Sequence, residues 1–137
     1  MSYLLDTCVL SEIVRPSPEP KVLQWLDAAE NCYISVLTIG ELQRGIDLAP
    51  DPVRRERLKR WLHDKVLAQF ALRTLPVTVS VAQAWGTLHA SLQKAGSNLP
   101  SIDGLLAATA LIHQLTLVTR NQRDFVATGV HLLNPWM

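Results

Sequence analysis

The feature that most constrains this chain is a change of hydrophobic period near its carboxyl end. Leu105 to Leu111 is almost wholly apolar over helical length, and Leu115-Thr116-Leu117-Val118-Thr119 then forms a short, apolar, β-branched run. A run of that kind reads as a strand buried on both faces, which needs helices on both sides of its sheet. The run breaks into Thr119, Asn121 and Asp124. In open α/β sheets, ligands bind beyond the carboxyl ends of the strands, so the polar residues at this end become the first candidates for a site.

The rest of the chain repeats the rhythm. Tyr3 to Leu5 reads as a strand ended by Asp6, and Val9, Leu10, Ile13 and Val14 then fall at helical spacing up to Arg15-Pro16. Val22, Leu23, Leu26 and Ala29 mark an amphipathic helix. Cys32 to Leu37 reads as a second strand, with Thr38-Ile39-Gly40-Glu41 opening the next helix. Asp51 before Pro52 is a helix start, the acid as cap and the proline at the first helical position. The long helix that follows buries Leu58, Leu62, Val66 and Phe70 and displays Arg54, Arg55, Arg57, Lys59 and Arg60. Leu75-Pro76-Val77 suits a sheet edge, because proline donates no ladder hydrogen bond. Ser80 is expected to cap a helix ended by Gly96, Ser101 to cap the apolar helix, and Gly129 to turn the chain into a last strand at His131 to Leu133. Strands alternating with helices predict an α/β fold with a mostly parallel sheet.

With 137 residues the chain builds one core, and a single domain spanning 1–137 is expected. A net charge of +1 names no partner, so any attraction for nucleic acid must come from local clusters. Cys8 and Cys32 lack zinc or disulfide spacing, and the amino terminus lacks a secretion signal. No apolar stretch reaches membrane-spanning length, so a cytoplasmic protein without membrane contact is expected.

Crossover helices run opposite to their strands, so strand carboxyl ends and helix amino ends share one rim. Asp6 ends the first strand, Glu41 and Asp103 fall in first turns of helices, and Asp124 lies just past the opening strand. Each has a structural reading: Asp6 as a cap, Thr38-x-x-Glu41 as a capping box, Asp103 as a dipole partner, Asp124 as a turn residue. Together, clustered carboxylates stay ionised mainly when a cation compensates them. Oxygen ligands favour magnesium or manganese, and phosphoester hydrolysis is the natural task of such a centre. Thr119 and Asn121 are placed to orient these acids.

The same residues resemble a known family. Asp6-Thr7 with Val9-Leu10-Ser11-Glu12, Ile34 to Thr38 with Gly40-Glu41-Leu42, Asp103 with Ala107 to Ala110, Val118 to Asn121 with Asp124-Phe125, and Leu133 to Trp136 are similar to PIN-domain ribonucleases of the VapC and FitB toxin type. The resemblance implies a PIN-like three-layer fold, a central sheet flanked by helices, and a magnesium-dependent endoribonuclease. It implies a homodimer held inactive by a cognate antitoxin. It also makes Asp6, Glu41 and Asp103 the main metal-site acids and Asp124 the fourth. The family commonly has Asn directly after Asp-Thr, where this chain has Cys8.

Arg120 and Arg123 lie beside the proposed site and are candidate RNA contacts, with pairing to nearby acids as the alternative. The Arg54 to Arg60 group is read as a solvated face or a phosphate contact. The histidines have no metal spacing, and the tryptophans sit in apolar patterns that suit packing. A glycine-rich phosphate loop is absent, and a phosphoaspartate phosphatase or receiver domain would need an acid at position 8 or a lysine at position 120. A non-catalytic PIN-like module binding RNA or a partner stays open as the alternative, since it keeps the fold without needing the acids.

Overall fold

The computed structural model describes residues 1–137. Its five strands are β1 (Tyr3–Leu5), β2 (Cys32–Ser35), β3 (Thr74–Leu75), β4 (Thr116–Val118) and β5 (Leu132–Leu133). All neighbouring pairs are parallel and the order is β3-β2-β1-β4-β5. From the centre the chain winds outward through β1, β2 and β3, then restarts on the other side with β4 and β5. The reversal falls between β1 and β4, the kind of switch point where α/β sheets open a crevice at their carboxyl ends.

Side-chain alternation sends adjacent residues of each strand into different cores. Leu5, Ile34 and Val118 enter a cluster with Val9, Leu10, Val22, Leu42, Ile46 and Phe70. Leu4 and Leu117 enter a second cluster with Leu106, Ala107, Ala110 and Phe125. The first face is covered by α1 (Thr7–Ile13), α2 (Pro20–Ala28), α3 (Val36–Leu48), α4 (Pro52–Trp61) and α5 (Leu67–Gln69). The second is covered by α6 (Val79–Lys94), α7 (Ser101–His113) and α8 (Gln122–Phe125). The result is the expected three-layer arrangement, with a fully parallel sheet.

Several boundaries differ from the sequence expectation. The second strand stops at Ser35, whose hydroxyl accepts the Leu37 N–H at 3.0 Å and starts α3 there. Val36 and Leu37 are therefore helical despite their apolar, strand-like character. Thr38 is not the cap, its buried hydroxyl has no hydrogen-bond partner, and Glu41 falls in the second turn of α3. Thr78 caps α6 in place of Ser80, and α7 begins after Pro100 with Ser101 inside the helix and no side-chain cap. Asp51 does cap α4, accepting the Val53 N–H at 3.1 Å.

The long helix after Asp51 changes pitch at a π-helical turn, Leu62–Val66, before α5. Leu62, Val66 and Phe70 are each four residues apart and all buried. In an α-helix such a series drifts around the axis, and the wider π turn brings it back over the sheet.

Candidate active site

Asp6 leaves β1 at the switch point and is 7% exposed. Its Oδ1 accepts the Thr7 N–H at 2.7 Å, so it does cap α1. Its Oδ2 accepts the Thr119 hydroxyl at 2.8 Å. Thr119 is fully buried just beyond β4 and its oxygen also accepts the Asn121 N–H at 3.0 Å. Asn121 thus supports the site through its main chain, and its carbonyl accepts the Asp124 N–H at 3.0 Å. Its amide side chain makes no hydrogen bond to the acids.

Thr7 ties α1 to α3, because its hydroxyl donates to Glu41 Oε1 at 2.6 Å. Asp103 lies in the first turn of α7 and is half-buried, while Asp124 is exposed on the short α8. Burial, then the charges of Asp6, Glu41 and Asp124, push the Asp103 carboxyl up from the ordinary 3.8 to about 6. The other three sequence-predicted acids therefore all act on Asp103, and no basic group offsets their effect there. Arg120 and Arg123 form no ion pair with them. The Arg120 guanidinium instead lies 5.4 Å from the centre of the Trp136 ring, a cation–π arrangement.

Cys8 faces the same carboxylate, its Sγ 3.7 Å from Asp6 Oδ2 and 3.8 Å from Thr119 Oγ1. Burial first, and the Asp6 charge second, push the thiol up to about 11, so it stays protonated at neutral pH and makes a poor nucleophile.

No three His, Cys, Asp or Glu side chains are gathered tightly enough to hold a metal ion directly. In donor chemistry, though, the rim suits a hard cation, with carboxylate oxygens and an uncompensated negative field.

Two residues that the motifs include without a role, Thr7 and Glu12, contribute to the site. Thr7 was legible only as the neighbour of Asp6, with nothing to announce its bond to Glu41. Glu12 is 2% exposed, accepts Arg15 at 3.0 and 3.1 Å, and accepts the Glu19 N–H at 2.9 Å. It pins the end of α1 to the start of α2 and so fixes the helix that carries Thr7 and Cys8. An acid inside an apolar helical stripe, three residues before an arginine, was the available signal.

Comparison with known proteins agrees with this arrangement. The PIN domain family matches residues 3–130. Toxin FitB of Neisseria gonorrhoeae is 37% identical over 97% of both chains. VapC ribonuclease Y4jK of Sinorhizobium fredii is 35% identical, over 97% of this chain and 96% of its own. The crystal structure of FitAcB from Neisseria gonorrhoeae superposes with a TM-score of 0.93 at 36% identity, covering 98% of each chain. On residues, topology and overall likeness together, the chain belongs to the PIN-domain family.

Proposed function

We propose that this chain is the toxin of a type II toxin–antitoxin system, a metal-dependent endoribonuclease that hydrolyses RNA phosphodiester bonds at the rim between β1 and β4. The observation that carries the reading is the field at Asp103, where Asp6, Glu41 and Asp124 add negative charge and nothing compensates it. A fold stabilised for its own sake would place a cation there or omit an acid. The names of the relatives, a toxin and a VapC ribonuclease, support the same activity.

In this reading Asp6, Glu41, Asp103 and Asp124 hold magnesium, with manganese as a substitute. Magnesium keeps several of its own waters, which suits carboxylates that are not tightly gathered. When bound, such an ion activates water and neutralises charge developing on the phosphoryl oxygens. The protein's part is positioning. Thr119 and the Asn121 main chain fix Asp6, Thr7 fixes Glu41, and Arg120 and Arg123 meet phosphates of the bound strand. The neutral Cys8 thiol occupies the place where an amide is common, donating only weakly to Asp6.

A free ribonuclease endangers its own cell, so the natural partner is a cognate antitoxin that covers the rim. Residues 1–137 work as one nuclease domain, in a homodimer, in the cytoplasm. No helix is long and apolar enough to cross a membrane. The reading is tested by inducing the chain in a bacterial host and mapping new RNA ends. Growth arrest with discrete new ends, both abolished by Asp6→Asn, is the expected result. Arrest that persists in Asp6→Asn would instead favour a non-catalytic binding module.

A further inference from the structure

The helix α4 (Pro52–Trp61) carries five basic residues against one acid, a net +4, while the whole chain is +1 and the remainder therefore −3. None of its residues is buried. Arg54 and Arg55 are committed to the fold, donating to the carbonyls of Val14 at 3.3 Å and Ala49 at 2.7 and 3.0 Å, which anchors the helix at its start. Arg57, Lys59 and Arg60 are exposed. The two ion pairs of the protein, Arg15–Glu12 and His63–Asp64, leave all three without an acidic partner.

This arrangement costs stability. Arg54, Arg57 and Arg60 recur every third residue and Arg55 and Lys59 stand four apart, spacings at which like charges on a helix repel. Asp51 at the cap and Glu56 are the only acids set against these five cations, and neither forms an ion pair with them. Repelling charges kept unpaired on an outer face suit a polyanion, which relieves the repulsion on binding. The nuclease reading creates a need for such a surface. The chain as a whole, at +1, offers RNA almost no net attraction.

We propose that the outer face of α4, through Arg57, Lys59 and Arg60, grips the phosphate backbone of the RNA substrate outside the acid rim. The proposal rests on the ribonuclease reading for the identity of the polyanion. Affinity for RNA and its dependence on salt then reside largely on this helix, while the rim supplies chemistry. The contacts are to phosphates, so they position the strand without reading its sequence.

The test measures binding of a fluorescent single-stranded RNA across a salt series, in an Asp103→Asn background that keeps the probe whole. The double substitution Arg57→Gln/Arg60→Gln is set against Lys21→Gln/Lys94→Gln, which removes the same charge from exposed positions elsewhere. Losing two phosphate contacts should flatten the log–log salt slope by about 1.4 and weaken binding about tenfold near physiological salt. The control pair should bind like the parent. Equal losses in the two pairs would mean that only net charge matters, and unchanged binding in the helix pair would remove RNA from this face; either overturns the proposal. Unchanged RNA binding with weakened capture of an acidic peptide would also overturn it, assigning the helix to a protein partner. Cleavage is followed in parallel with Asp103 intact. Absence of cleavage counts against the nuclease reading, whereas cleavage with equal binding by both pairs counts against the helix alone.

Discussion

Replacing Asp103 with Asn should make the metal-free protein more stable. Removal of a half-buried, helix-starting carboxylate would ordinarily cost stability, but here the folded state penalises its charge. The carboxyl rises from 3.8 to about 6, through burial and then the charges of Asp6, Glu41 and Asp124. The folded protein therefore holds this proton up to higher pH than the unfolded chain does, and stability falls as pH rises from about 4 through about 6. At 1.36 kcal/mol per pH unit the rise sets an upper limit of about 3 kcal/mol on the destabilisation at neutral pH. Solvent screening of a half-exposed group cuts this, and a gain of about 1 kcal/mol for Asp103→Asn is the working figure. For a chain of this size that is a rise of about 3–5 °C in melting temperature. The assay is thermal unfolding in chelator at pH 7.5 and at pH 4, where the difference should shrink as the native carboxyl takes up its proton. Adding magnesium should raise the parent's melting temperature and raise the variant's by less. A variant that melts lower than the parent at pH 7.5, or a gain that grows on acidification, would refute the reasoning.

Other outcomes follow from the hydrogen bonds and packing. Thr119→Val removes the donor to Asp6 Oδ2, and cleavage should fall about 10- to 100-fold, with circular dichroism confirming an intact fold. Gly104→Ala brings a Cβ within 2.9 Å of the Trp85 indole nitrogen where α6 meets α7, and chemical denaturation should show a loss of about 1–3 kcal/mol. Glu12→Gln should lower the melting temperature at neutral pH. The Glu19 N–H, followed by Arg15, holds the Glu12 carboxyl below its ordinary value, so its contribution is present above about pH 4.5 and is lost as pH falls through the depressed value. The difference between parent and variant should therefore close in acid.

The sheet and its rim were legible because period and chain direction carry that information. Short apolar runs ended by polar residues mark β1 and β4, the second of them β-branched, and the opposed directions of strands and helices put Asp6, Glu41, Asp103 and Asp124 on one side. Local caps were less legible. Ser35, Thr38, Thr78 and Ser80 are all chemically able to cap, and tertiary packing selects among them. The π turn at Leu62–Val66 has no composition of its own and exists to keep a four-residue apolar spacing over the sheet. Side-chain partners across the fold, Thr119 to Asp6 and Thr7 to Glu41, depend on angles that only the packed structure sets. The position of Asn121 beside the acids is legible in the sequence, whereas its use of the main-chain N–H toward Thr119 depends on the same packed geometry.

The most direct test of the acid-rim account is single-turnover cleavage of RNA by the purified chain, parent against Asp6→Asn and Glu41→Gln, each with magnesium and with chelator. The account predicts cleavage by the parent in magnesium, none in chelator, and a loss of at least 100-fold in both variants. Cleavage that survives chelation or either substitution would place the chemistry somewhere other than this rim.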